Sequence, residues 1–161
     1  MKVLIFAFGK LKTPGMRAAA DHYLKMVSKW AQVEEIELEP ESALNQSESS
    51  KDKARQKEEK KLLDHLEKRK IPVDRLYVLD IRGTSDFTGN WGQRVIAWEE
   101  LGADVAFAIG SSWGFSDRLK NLSQRVVGLG PHTMAHELTR VVLLEQLYRA
   151  HKILAREPYH Y

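Results

Sequence analysis

Four short apolar runs, at residues 3–8, 76–79, 105–109 and 126–129, each end at a glycine or an aspartate. Runs of that length suit strands buried on both faces, the kind found in parallel sheets. The segments between them carry helical periodicity. Met16, Ala19, Ala20, Tyr23, Val27 and Trp30 recur at helix spacing, and so do Trp91, Val95, Trp98 and Leu101. Ile36 and Leu38 alternate with Glu35, Glu37 and Glu39, which predicts a half-buried strand. Strands alternating with helices predict an α/β fold with a largely parallel sheet. No repeat or internal boundary divides the 161 residues, so a single domain is expected.

Residues 40–50 are polar and serine-rich and are expected to form a loop. Residues 51–70 are densely charged, with Leu62, Leu63 and Leu66 as a narrow apolar stripe, the pattern of a helix with a solvated face. The strand at 76–79 is expected to close at Asp80 and turn at Gly83. Ser116 is expected to cap a helix running to Arg125, and Thr133 to cap the last helix, residues 134–150. That last helix is apolar over more than one stripe and needs cover on several sides, which predicts a homodimer.

The chain has no cysteine, which excludes disulfides, thiolate metal sites and a cysteine nucleophile. No apolar stretch approaches the length of a membrane span or a secretory core, so a cytoplasmic protein with no membrane partner is expected. A net charge of +3 is compatible with a phosphate-rich partner without requiring one.

Three loops carry motifs of chemical interest. Gly110-Ser111-Ser112-Trp113-Gly114 follows a strand and precedes a helix, the context of a hydrolase nucleophile elbow. That reading makes Ser112 the nucleophile, with His132, His136 or His160 as base, but places no acid on a later strand. His136-Glu137 opens like a zinc-protease motif, yet Arg140 stands where the second histidine belongs, so no metal is expected. Gly128-Leu129-Gly130 is only the front of a dinucleotide fingerprint.

A more specific pattern runs through the whole chain. It comprises Phe8-Gly9-Lys10, Leu79-Asp80 with Gly83, Ile109-Gly110, and Thr133 with His136, Arg140 and Val141. It continues in Leu143-Leu144-Glu145-Gln146-Leu147-Tyr148-Arg149-Ala150 and Pro158-Tyr159-His160. In order and spacing these resemble the 23S ribosomal RNA pseudouridine N3-methyltransferases of the SPOUT class. The resemblance implies a trefoil-knotted α/β domain that forms a homodimer and uses S-adenosyl-L-methionine. Leu79, Gly110, Ser111, Gly130, Pro131, His132, Thr133, Met134 and Ala135 would line the donor pocket. His136, Arg140 and Tyr159 would contact ribosomal RNA, within the large subunit or the assembled ribosome. The methyl would go to N3 of a pseudouridine in the helix-69 loop.

Ser111, Ala135 and Tyr161 stand where that family usually has glycine, proline and a basic residue. Ser111 and Ala135 support one alternative, a ribosome-binding paralogue that keeps the fold without the chemistry, while Tyr161 removes one implied RNA contact. Under the catalytic reading, Arg149 would stabilise the pyrimidine anion and His160 would take the ring proton. Arg149 also stands four residues after Glu145, the spacing of a helical ion pair. At 100° per residue, His136 and Arg149 lie about 140° apart on a helix, so both can serve one site only across two subunits.

Overall fold

The computed structural model describes residues 1–158. Its strands are β1 (Lys2–Phe8), β2 (Gln32–Leu38), β3 (Leu76–Ser85), β4 (Val105–Ile109) and β5 (Arg125–Gly128). All run parallel, in the spatial order β2-β1-β4-β3-β5. Five helices alternate with them: α1 (Pro14–Val27), α2 (Glu48–Lys68), α3 (Thr88–Leu101), α4 (Asp117–Leu122) and α5 (His136–Leu154).

The period of two along each strand sorts the apolar side chains into two cores. Val3, Ile5 and Ala7 of β1 face α1, α3 and α5, together with Tyr77, Phe107, Trp91, Val95 and Leu143. Leu4, Phe6 and Phe8 face the other way, against Leu62 and Leu66 of α2 and Leu119 of α4. The sheet is therefore covered on both sides, which is why β1 and β4 read as unbroken apolar runs. Trp98 donates its indole N–H to the Tyr77 hydroxyl at 2.9 Å, so the larger core buries that polar pair without loss.

Helix α2 begins at Glu48, inside the expected loop, because Ser47 caps it by accepting from the Ser50 amide at 3.2 Å. Its buried stripe is Ala54, Glu58, Leu62 and Leu66, whereas Leu63 is 38% exposed. Ser116 caps α4 as expected, accepting from Leu119 N at 3.1 Å, but α4 stops at Leu122 because Arg125 already belongs to β5.

Strand β3 does not end at Leu79. Residues 80–83 leave the ladder, and Thr84 and Ser85 return beside Val127 and Gly128. The return needs two glycines. A Cβ at Gly83 would fall 2.4 Å from the Val127 carbonyl carbon, and one at Gly128 would fall 2.7 Å from the Gly83 oxygen.

Helix α5 starts at His136, two residues later than expected. Its N-cap is Ala135, not Thr133, and no side chain caps it. Its breadth of apolar surface is covered largely by its own chain, since α5 packs on both α1 and α3. No helix among the described residues is long and apolar enough to cross a membrane.

Candidate functional site

The carboxyl ends of β3, β4 and β5 open onto a cavity of about 480 Å³. Ligand sites of parallel sheets form at such ends, where loops offer backbone groups and little side-chain bulk. Leu79, Gly110, Ser111, Gly130, His132, Thr133, Met134 and Ala135 all line it. Pro131, expected among them, is exposed and not part of the wall. Asp80, Ile81, Ile109, Ser112, Val127, Leu129 and Thr139 join the lining without having been expected. Asp80, Ile109, Ser112 and Leu129 adjoin expected residues along the chain, Val127 pairs with Leu79 across the sheet, and Thr139 sits one helical turn from His136.

Apolar walls come from Leu79, Ile109, Val127, Leu129 and Met134, with polar groups at Ser112, His132, Thr133 and His136. Asp80 is committed elsewhere: it pairs with Lys120 at 2.5 Å and accepts from the Arg82 amide at 2.8 Å. Burial alone would raise its pKa, but Lys120 and the Arg82 amide outweigh burial and hold it below the ordinary carboxylate range. Gly130 takes φ +117, a conformation that disfavours any side chain. At Gly110 a side chain would meet the Phe115 ring at 3.1 Å and Gly114 Cα at 3.4 Å, so a larger residue there disturbs the loop.

Ser111 is held from behind by α2. Its hydroxyl donates to the buried Glu58 carboxylate at 2.8 Å and accepts from the Trp113 amide at 3.2 Å. The other Glu58 oxygen takes the Glu41 amide at 2.9 Å. Burial is the largest influence on Glu58 and raises its pKa against the pull of those hydrogen bonds. Arg55 donates to the Trp113 carbonyl at 2.9 Å, and Ser116 donates to Glu59 at 2.9 Å. The charged α2 is thus solvated on one side and clamps the β4 loop with the other.

Arg140 corrects one expectation. Its side chain is 0% exposed and cannot present a charge to RNA. It donates to Glu37 at 2.7 Å, to Glu35 at 3.3 Å and to the Gly9 carbonyl at 2.8 Å, tying α5 to the edge strand and to the turn after β1. His136 does reach the cavity wall. Its ring packs over Gly9, where a Cβ would lie 2.9 Å from Cε1, and its Nδ1 is buried without a hydrogen-bond partner among the described residues. Among the described residues no acid partners that Nδ1, so no triad forms on His136 with Ser112, while His160 lies outside the described residues. No three metal-ligating side chains converge among the described residues.

Arg149 is not in the cavity wall. Thirteen residues beyond His136 it stands about 20 Å further along α5, and it donates to Glu145 at 2.9 and 2.5 Å. Tyr159 and His160 lie outside the described residues.

Glu137, at the start of α5, anchors the β1–α1 turn by accepting from the Lys12 amide and from Thr13 at 3.1 and 2.6 Å. The Thr13 hydroxyl, then the Thr13 and Lys12 amides, bring its pKa from 4.5 to about 2. A depressed carboxylate stabilises the fold above its unfolded pKa, and that contribution is lost as pH falls through the folded value. The melting temperature is expected to fall between about pH 4.5 and about pH 2. Glu137→Gln should flatten that part of the profile. An unchanged slope in the variant would assign acid sensitivity to other carboxylates.

A three-layer parallel α/β fold with a loop-built, largely apolar cavity at its strand ends has the architecture in which parallel sheets commonly place ligand sites. The chain belongs to the SPOUT methyltransferases: the family described as "Predicted SPOUT methyltransferase" matches residues 1–160. Proteins named Ribosomal RNA large subunit methyltransferase H are similar along their whole length. The one from Acetivibrio thermocellus is 33% identical over 162 residues, covering 99% of each chain. The one from Anaeromyxobacter sp. is 34% identical over 160 residues, again 99% of each. The one from Xylella fastidiosa is 32% identical over 160 residues, 99% of this chain and 98% of that one.

Proposed function

We propose that this chain is a cytoplasmic ribosomal RNA methyltransferase that transfers a methyl group from S-adenosylmethionine to N3 of a pseudouridine in the helix-69 loop. One observation carries the donor assignment: eight residues expected from three separate stretches of sequence line one cavity of about 480 Å³. The similarity to proteins named as ribosomal RNA large subunit methyltransferases supports the substrate class.

The cavity suits that donor. Its apolar walls accept a purine ring, its loops bring backbone amides and carbonyls within reach, and Ala135 leaves the first amides of α5 without a side-chain cap. Bound there, S-adenosylmethionine supplies an activated methyl whose bonding pair leaves with sulfur. The chain's own residues then hold and desolvate the partners rather than act as nucleophiles. Arg149 stabilises the ring anion formed when N3 loses its proton, and His160 accepts that proton. Tyr159 and His136 contact the RNA. Since Arg149 stands far from its own subunit's cavity, the complete site combines two subunits. Leu138 and the exposed Phe87, which precedes the Thr88–Gln146 contact to α5, leave apolar surface for that homodimer. The fold in this reading is a trefoil knot, as the family resemblance implies.

The non-enzymatic paralogue rested on Ser111 and Ala135. Ser111 is drawn toward Glu58 and Ala135 sits at the helix cap, and the cavity stays open beside both. Calorimetry with S-adenosylmethionine is expected to show saturable binding that survives EDTA. Sedimentation is expected to give twice the 18.5 kDa chain mass. Ribosomes carrying the pseudouridine should accept methyl faster than ribosomes with uridine. Donor binding without methyl transfer to any ribosomal particle would retain the pocket and reject the substrate.

A further inference from the structure

A groove of about 490 Å³ lies between α2 and the loop that follows β2. Lys53, Lys57 and Lys60 line it together with Ser42 from the loop, and its wall includes no carboxylate. All three lysines are exposed and recur at helical spacing, so they form one row about 10 Å long. Leu44, 92% exposed, and the buried Ala54 add apolar surface to the groove.

The acids that could neutralise this row are engaged elsewhere. Glu58 and Glu59 turn toward the β4 loop, accepting from Ser111 at 2.8 Å and Ser116 at 2.9 Å. Asp52 pairs with Arg55, Glu48 with Lys51 at 3.3 Å, and Glu41 with Lys61 at 2.6 Å. Lys60 shares Asp64 at 2.8 Å, whereas Lys53 and Lys57 have no ion pair among the described residues. The groove also stands close to the chemistry. The chain leaves β2 at Leu38 and enters α2 at Glu48, so the first turns of α2 lie at the carboxyl end of the sheet, which opens onto the donor cavity. Arg55 on the Trp113 carbonyl and Glu58 on Ser111 fasten those turns to the donor loop.

We infer that this groove binds the phosphate backbone of ribosomal RNA beside the target loop. The inference rests on the methyltransferase reading above and adds a second RNA surface, on the opposite face of the sheet from α5. Ammonium groups on flexible stems suit backbone phosphates, whose contacts fix position and register without reading sequence. Each phosphate neutralised releases counterions, so the contact carries a salt dependence of its own.

The test reads binding apart from chemistry. Lys53→Gln/Lys57→Gln alters only exposed positions. Lys25→Gln/Lys68→Gln, at exposed sites in the last turns of α1 and α2, removes the same charge elsewhere. The groove variant is expected to keep S-adenosylmethionine affinity and kcat within about twofold. Its KM for ribosomes should rise about five- to tenfold, and the slope of log affinity against log salt should shrink by about one to two. The control variant should match the unaltered chain within about twofold. An unchanged KM and salt slope in the groove variant would overturn the assignment and leave the methyltransferase reading standing. Equal losses in both variants would reduce the effect to net charge and overturn it as well. Unchanged ribosome binding with lost adhesion to phosphatidylserine vesicles would make the occupant a lipid surface. Co-sedimentation with ribosomes that the groove variant loses, without methyl transfer by the unaltered chain, would keep the groove and reject the activity. Absence of both binding and transfer in the unaltered chain would remove both.

Discussion

Arg149→Ala is expected to bind S-adenosylmethionine and dimerise normally while losing about 10²–10³ of its turnover. N3 of a pyrimidine becomes a nucleophile only when its proton leaves, and a fixed guanidinium lowers the cost of the resulting anion. Glu145 holds that guanidinium at 2.9 and 2.5 Å, which sets its direction in advance of substrate. Arg149→Lys should recover part of the loss, because a flexible ammonium keeps the charge but not the planar fork. Mixed dimers provide the sharper measurement. A chain carrying Arg149→Ala, paired with one whose donor loop is disabled, should retain one working site if the site spans two subunits. Wild-type turnover in the Ala variant would make Glu145–Arg149 a structural pair alone.

Arg140→Ala is expected to cost about 2–4 kcal/mol of folding stability, because it removes the buried donor to Glu37 and to the Gly9 carbonyl, while Glu35 keeps Arg17 at 2.6 Å. The guanidinium is 0% exposed and Glu35 only 11%, so little water is available to take its place. Burial pushes the Glu37 carboxyl up, but the Arg140 hydrogen bond and the Leu11 amide outweigh burial and hold it below its ordinary value. Without Arg140 that pull disappears, and the Gly9 carbonyl also loses a donor. Urea midpoints measured for the variant and the wild type read the effect directly. A change under 1 kcal/mol, about the typical effect of an ordinary substitution, would show that the network is replaceable.

The fold was legible where one periodicity dominates. Residues 3–8 and 105–109 have no polar side chain, so only a doubly covered strand satisfies them. Boundaries were less legible where a neighbour decides them. Residues 84–85 carry no strand pattern of their own, and they pair because β5 lies beside them. Glu58 was hidden for a related reason. It reads as one more charge in a charged helix, although its four-residue spacing from Ala54 and Leu62 places it on the buried stripe. In the candidate site, the donor-loop residues were nameable because short strand-end motifs carry them. Pro131 was the exception, since adjacency in sequence does not decide which way a turn residue points.

By itself the sequence determined the alternation of buried strands and amphipathic helices, hence a parallel α/β sheet, because local periodicity controls which faces can meet water. The order and spacing of motifs along the whole chain, residues 143–150 and Pro158-Tyr159-His160 among them, also pointed to the family. Only the tertiary structure decided the fate of the charged side chains. Arg140 looked available to RNA, yet Glu35, Glu37 and the Gly9 carbonyl, more than 100 residues away, enclose it. Ser111 looked like a donor-pocket residue, and the partner that holds its hydroxyl is a glutamate 53 positions earlier. A charge or hydroxyl is spent on whichever partner the fold brings within about 3 Å, and that distance has no counterpart along the chain.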